Sequence, residues 1–203
     1  MASSGLSCEI EGLRLVEREL DLLAVRSDAA TSRAAMRDIG LIIERRSAAA
    51  LRDQTAPEIV ADVGDAQSVA GQAWEPLADN TLVQRRGRRE RDDAGVAGPR
   101  VAQARALRDT GTGARSITSV AGDGWVEAGA GVDHMAYQHG GTDPYTIVPR
   151  DAPALAFMTM EGLVVTPIVH HPGLPPRPFV GINKADIDSM LEMTYRRLMR
   201  AGA

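Results

Sequence analysis

The side chains that could do chemistry are few. All four histidines, His134, His139, His170 and His171, fall within 38 positions. Zinc needs three or four ligands converging at about 2 Å, and histidine is a common choice. No HExxH and no paired cysteine motif accompanies these four. His134 and His139 are five apart, a spacing that a helix does not bring onto one face. They read as structural or surface residues, and neither a metal nor any other cofactor is expected. Asp109-Thr110-Gly111 matches the tripeptide of aspartic proteases, in which two such aspartates share a proton. Apolar strand residues precede the aspartate in those enzymes, whereas Leu107-Arg108 precedes it here and "GTGARSI" follows. A tight turn leading into a strand is the favoured reading, with a small aspartic hydrolase using Asp109 as the alternative of another class.

The one basic cluster is "QRRGRRER" at 84–91, with five arginines against one acid. Arg85, Arg86, Arg88 and Arg89 could meet DNA phosphates without reading sequence. Asp92 and Asp93 follow at once, and no aromatic is interleaved for base stacking. A solvated loop is the plainer reading. "GAGVDH" and "GTGARS" complete neither a dinucleotide nor a phosphate-loop pattern, and Cys8 has no catalytic setting. No enzyme emerges from these residues.

A net charge of −4 over 203 residues argues against a surface built for nucleic acid as a whole. With one cysteine there is no intramolecular disulfide, so an oxidising compartment is not required. No run of about eighteen apolar residues exists, which predicts no membrane span. "MASSGLSCEIEGLRL" lacks the basic and apolar regions of a signal peptide, so the expectation is a cytoplasmic site of synthesis and assembly.

The elements that must position these residues follow from periodicity. Ser7 can cap a helix from about Glu9 to Val25, with Leu13, Val16, Leu20 and Leu23 on one side. A second helix is predicted over Thr31 to Arg52, its buried face Met36, Ile39, Ile43 and Ala50. Pro57 and Gly64 break the pattern and a connector runs to Gln72. A turn at Pro76 leads to a short helix from Asp79, and 86–105 is a Gly-, Ala- and Arg-rich loop arm. Two hairpins are predicted, 116–121 with 125–130 and 154–160 with 163–169, the last an edge strand because of Pro167. The final helix, 184–200, follows Asn183, with Asp186 placed as in a capping box. The fold class is α+β: N-terminal helices and a C-terminal helix packed on a small, mostly antiparallel sheet, with extended loop arms. Residues 1–72 form a helical region with its connector, and 73–203 form the α+β core.

"HPGLPPRPFVGI", residues 171–182, places four prolines within seven positions. Proline fixes φ and donates no hydrogen bond, so this run cannot be an interior strand. It is expected to lie extended on the surface, anchored by Phe179 and Val180 over the last helix. It serves as a rigid strap, as a pre-stiffened part of a subunit interface, or as both.

These residues also carry a family resemblance. "PPRPFVGI" before an acidic helix resembles the "aRPFlg" signature of bacteriophage virion morphogenesis proteins. These are the tail completion and neck proteins of Mu-like and P2-like phages, with HK97-like relatives. "GQAWEPLADNTL", "ALRDTGTGARSITSV" and "AGAGVDHMAYQHGG" resemble further segments of that family in its order, and "IVPRDAPALAF" and "HHPGLPPRPF" resemble the HK97-like neck proteins. The likeness spans about residues 70 to 200. It implies a structural virion protein that completes the head-proximal end of the tail and joins tail to head. It further implies a homo-oligomeric ring around the DNA channel, six-fold or twelve-fold, touching other neck and tail proteins and no membrane. A head-side adaptor or stopper is the alternative within the same assembly. On this reading Pro175, Pro176, Arg177, Pro178, Phe179, Tyr137 and His139 are the interface candidates. The Arg85, Arg86, Arg88 and Arg89 cluster is the candidate for non-specific contact with DNA in the lumen.

Overall fold

The computed structural model describes residues 29–60, 65–83, 85 and 105–201. The helix expected over 9–25, Arg86, Arg88, Arg89 and all of the 86–105 arm except Arg105 lie outside the described residues.

Helix α1, Ala29–Asp53, is the long helix expected from Thr31 to Arg52. It is rich in alanine and arginine, both good helix formers. Met36, Ile39, Ile43, Ala50 and Leu51 recur at helical spacing and are buried. Gly40 interrupts the favourable run for a packing reason: a Cβ there would press on the Ser119 side chain, 2.9 Å from its Cβ. The helix ends at Gln54, which takes a left-handed φ of 57° that glycine or asparagine usually supplies. Its side chain offsets the strain by donating to the carbonyls of Leu51 (2.7 Å) and Ala106 (3.2 Å) and accepting from the Ala106 amide at 2.6 Å.

Strand β1 is Ile59–Val60, and a 3-10 turn follows at Ala66–Val69. Residues 79–83 are helical, as expected after Pro76. The one-turn helix α2, Thr112–Arg115, leads into the hairpin β2 (Ile117–Ala121) and β3 (Val126–Ala130). This hairpin lies across α1. Ser119 donates to Glu44 at 2.6 Å, and the Gly124 amide donates to Ser32 at 3.0 Å. Helix α3, His134–Gly140, and strand β4, Tyr145–Ile147, were not foreseen. The second foreseen hairpin is β5 (Leu155–Thr159) with β6 (Gly162–Thr166). Its second strand stops three residues before the expected end. Pro167 cannot donate to a ladder, and the Thr166 hydroxyl donates to the Ile168 carbonyl instead. The chain then restarts as β7, Val169–His171, which pairs with β4. Strand β8, Gly181–Ile182, pairs with β1, and helix α4, Lys184–Ala201, closes the order.

The fold is α+β. In place of one small sheet the described residues form four separate two-stranded antiparallel ribbons. The described body is joined by side chains: α4 packs along α1 through a bidentate Arg46–Asp186 pair (2.7 and 2.8 Å) and an Arg197–Asp38 ion pair. Asp186 also accepts the Asn183 amide at 2.7 Å, the reach-back half of the expected capping box. Burial would push the Asp186 carboxyl up. The Arg46 guanidinium and the Asn183 amide outweigh that and hold it below the usual carboxylate range.

The first half of the proline strap lies at the surface, with Pro172 exposed and Pro175 and Pro176 half-buried, but its second half goes deeper than a surface strap. Arg177, Pro178, Phe179 and Val180 are buried, and Phe179 and Ile182 sit in the core with Ile39, Met135 and Met190. The buried half keeps its N–H groups and satisfies them: the Arg177 amide donates to the Gln138 carbonyl, those of Phe179 and Val180 to His139 Nδ1, and Gly181–Ile182 pairs with β1.

Candidate functional site

The carbonyl of Pro178 accepts from Nε1 of the buried Trp74 at 3.1 Å. Next to it, the Arg177 guanidinium reaches back to the segment after Trp74. Nε and Nη2 donate to the Glu75 carbonyl (3.3 and 3.1 Å), and Nη2 also to that of Pro76 at 3.3 Å. The Arg177 amide donates to the Gln138 carbonyl of α3 at 2.8 Å. Two residues further, the amides of Phe179 and Val180 both donate to Nδ1 of His139, at 3.3 and 3.4 Å. The His139 ring is fully buried and meets Phe179 edge-on, with centroids 5.1 Å apart. An Nδ1 that accepts two bonds carries no proton, so the neutral ring has its hydrogen on Nε2. His139 is thus a fixed acceptor for the end of the strap.

Arg177 is 4% exposed, and among the described residues it forms no ion pair with a carboxylate. Burial pushes its guanidinium down from the ordinary arginine range; the charge of Glu75 opposes this and that of Arg85 adds to it. The group works as a brace on backbone carbonyls, a task that suits its planar fork of donors.

Arg177 also lines a cleft of about 440 Å³. Its walls come from several of the segments that stand out in the sequence: Pro76 and Leu77, Asp109 to Gly111, Gln138, and His171 to Pro175. Asp109-Thr110-Gly111 makes the turn expected of it. Gly111 has φ 77° and its carbonyl accepts the Arg115 amide, opening α2. The Asp109 carboxylate lies 3.8 Å from Arg85, whose Nη1 donates to the Arg105 carbonyl at 2.8 Å. An aspartic dyad sets a second carboxylate against the first; the group seen against Asp109 here is a guanidinium. Arg85 is accordingly turned toward the cleft, its side chain 14% exposed.

The remaining candidates scatter. Pro175 and Pro176 are half-buried, and Pro176 lies against Gly141, whose φ of 77° and close approach to the Leu174 carbonyl leave no room for a side chain. Tyr137 is exposed, on the side of α3 away from the buried His139. His134 is exposed at the cleft, His170 sits beside the Thr146 hydroxyl at 3.2 Å, and His171 stacks on Tyr145. Among the described residues no three of His, Cys, Asp and Glu come together as a metal site. Nor is any described helix long and apolar enough to cross a membrane.

Sequence reasoning missed the partners rather than the motifs. Trp74 and Gln138 were seen as parts of separate segments, and nothing in their spacing says that both grip the strap. The signal available was scarcity, since Trp74 is one of two tryptophans and directly precedes an acidic residue and a proline.

No protein-family model, curated protein or solved structure matches the chain.

Proposed function

We propose that this chain is a structural virion protein of the bacteriophage neck. It completes the head-proximal end of the tail and joins tail to head as an oligomeric ring around the DNA channel. The observation that carries the reading is the convergence of the resembling segments at Arg177. "WEPL", "DTGTG", "YQHGG" and "PPRPFVGI", spread over more than a hundred positions, meet at one buried arginine and the cleft beside it. Segments of one family signature are expected to build one structural unit, and the meeting of these at one site supports the reading. Arg177, Trp74 and His139 spend their polar groups on backbone carbonyls and amides, which suits a rigid building block. A head-side adaptor or stopper uses the same features and is the second reading.

A ring needs two different patches per subunit and a rotation that closes. DNA contact in the lumen would fall to Arg86, Arg88 and Arg89, because Arg85 is engaged by Asp109 and the Arg105 carbonyl. The test is cryo-electron microscopy of phage particles carrying a tagged copy of the chain. Tag density in a ring at the tail top supports the tail-completion role. Density on the capsid side of the joint selects the adaptor, and particles without the chain refute both.

A further inference from the structure

Arg177 uses only part of its donor set. Nε and Nη2 are taken by the Glu75 and Pro76 carbonyls, whereas Nη1 makes no hydrogen bond among the described residues. The buried side-chain atoms left without a partner there are Ser47 Oγ and Thr194 Oγ1, so Nη1 keeps contact with solvent. The solvent it meets is that of the cleft of about 440 Å³ that Arg177 lines. Two further side chains on the same walls have polar groups not yet engaged. His134 and Gln138 are four apart on α3, which puts them on one face, and both line the cleft. Neither the His134 ring nor the Gln138 side-chain amide forms a hydrogen bond among the described residues. The Gln138 carbonyl accepts the Arg177 amide at 2.8 Å, so these two residues adjoin.

A guanidinium, an amide and an imidazole can all donate. What a buried cation without a carboxylate partner lacks is an acceptor that carries negative charge. The other walls decide which kind. Leu77, Leu107 and Leu174 line the cleft half-buried, and its volume lies within the roughly 300–1,000 Å³ of small-ligand sites. The acids limit the charge. Asp109 also lines the cleft but lies 3.8 Å from Arg85, and Glu75 is exposed, where water and salt screen it. A multiply charged anion such as inorganic phosphate would be repelled by both carboxylates. A singly charged group is matched by Arg177.

We propose that this cleft binds a carboxylate with an apolar body, its oxygens held by Arg177 Nη1 and Gln138 Nε2, with the His134 ring N–H as a third donor and the leucines around the apolar part. The same chemistry is offered by a free small acid and by the C-terminal carboxylate of a protein segment that ends in apolar residues.

The experiment titrates the full chain, isotope-labelled for NMR, with phenylacetate, with acetyl-Leu-Leu bearing a free C-terminal carboxylate, and with the neutral phenylacetamide. The expected result is saturable shifts at Gln138, Arg177 and Thr110 with a carboxylate and none with the amide. Tighter binding of phenylacetate selects a small acid as the source, and tighter binding of the dipeptide selects a chain end; either supports the site. Saturation by phenylacetamide to the same extent, or no saturable shift from either carboxylate, overturns it. Arg177 braces the strap, so the variant is made beside it. Gln138→Glu keeps the size of the side chain and the backbone bond to Arg177, but sets a carboxylate where that of the ligand would lie. It should fold as the parent does, with the same pattern of amide signals elsewhere. Its affinity for the better probe should fall roughly tenfold or more, the effect of losing a charge-assisted hydrogen bond. Undiminished affinity in the folded variant would refute the site.

Discussion

Nε1 of Trp74 donates to the carbonyl oxygen of Pro178 across 104 positions of sequence, and both residues are buried. The bond ties the buried end of the strap to the segment around Trp74. Replacing Trp74 with Phe keeps an aromatic ring but orphans a buried carbonyl, at a cost of about 1–3 kcal/mol. For a chain of this size Tm should drop by roughly 2–4 °C per kcal/mol, read by calorimetry. An unchanged Tm would mean that the bond does not hold the strap.

Arg177 should tolerate neither Met nor Lys. Methionine fills the space but abandons the Glu75 and Pro76 carbonyls, each worth about 1–3 kcal/mol when left unsatisfied in the interior. Lysine keeps the charge and three donors, but as a compact, strongly hydrated ammonium it costs more to bury and lacks the planar fork that spans these carbonyls. Urea midpoints should fall for both variants, with Lys at least as low as Met and the m-value unchanged. A Lys variant as stable as the parent would show that charge, not the fork, matters there.

Stability should depend on acid through Asp186. Its folded-state pKa lies below the ordinary carboxylate value because Arg46 and the Asn183 amide favour the ionised form over the opposing effect of burial. A lowered value gives stability that is complete above the unfolded pKa, about 4, and is lost as pH falls through the folded one. The gap in unfolding free energy between the parent and Asp186→Asn should be full at neutral pH and narrow progressively below about pH 4. A gap constant with pH would assign the effect of the substitution to packing alone.

Gly181 sits where β8 meets β1. A Cβ there would stand 3.0 Å from Val60 Cα and 2.9 Å from Pro57 Cβ, and it would press on the Ile59 carbonyl as well. The obstacle is mostly backbone, which cannot swing away as a long side chain can. Gly181→Ala should cost about 1–3 kcal/mol, the range for overpacked interiors, and circular dichroism melting reads it directly. A neutral outcome would mean that β1 is free to move off.

How much of this was legible depends on the range of the forces involved. Helix α1, the β2–β3 hairpin and the Asp186 cap were readable because each rests on periodicity or capping within a few residues. β4 was not, since Tyr145–Ile147 is three residues long and is a strand because β7 lies beside it. The proline run is legible as a strap whose first half lies at the surface, but the burial of Arg177 to Val180 is not. That burial is decided by Trp74, Gln138 and His139, between 39 and 104 residues away. For the candidate site, Arg177, Phe179 and His139 were named from the motif, whereas their mutual contacts exist only in the fold.

The proposed neck role is open to negative-stain microscopy of phage particles produced without this chain. A neck protein's absence should leave DNA-filled heads beside unjoined tails, with overlong tails if the chain also ends tail growth. Normally joined, infectious particles would contradict it.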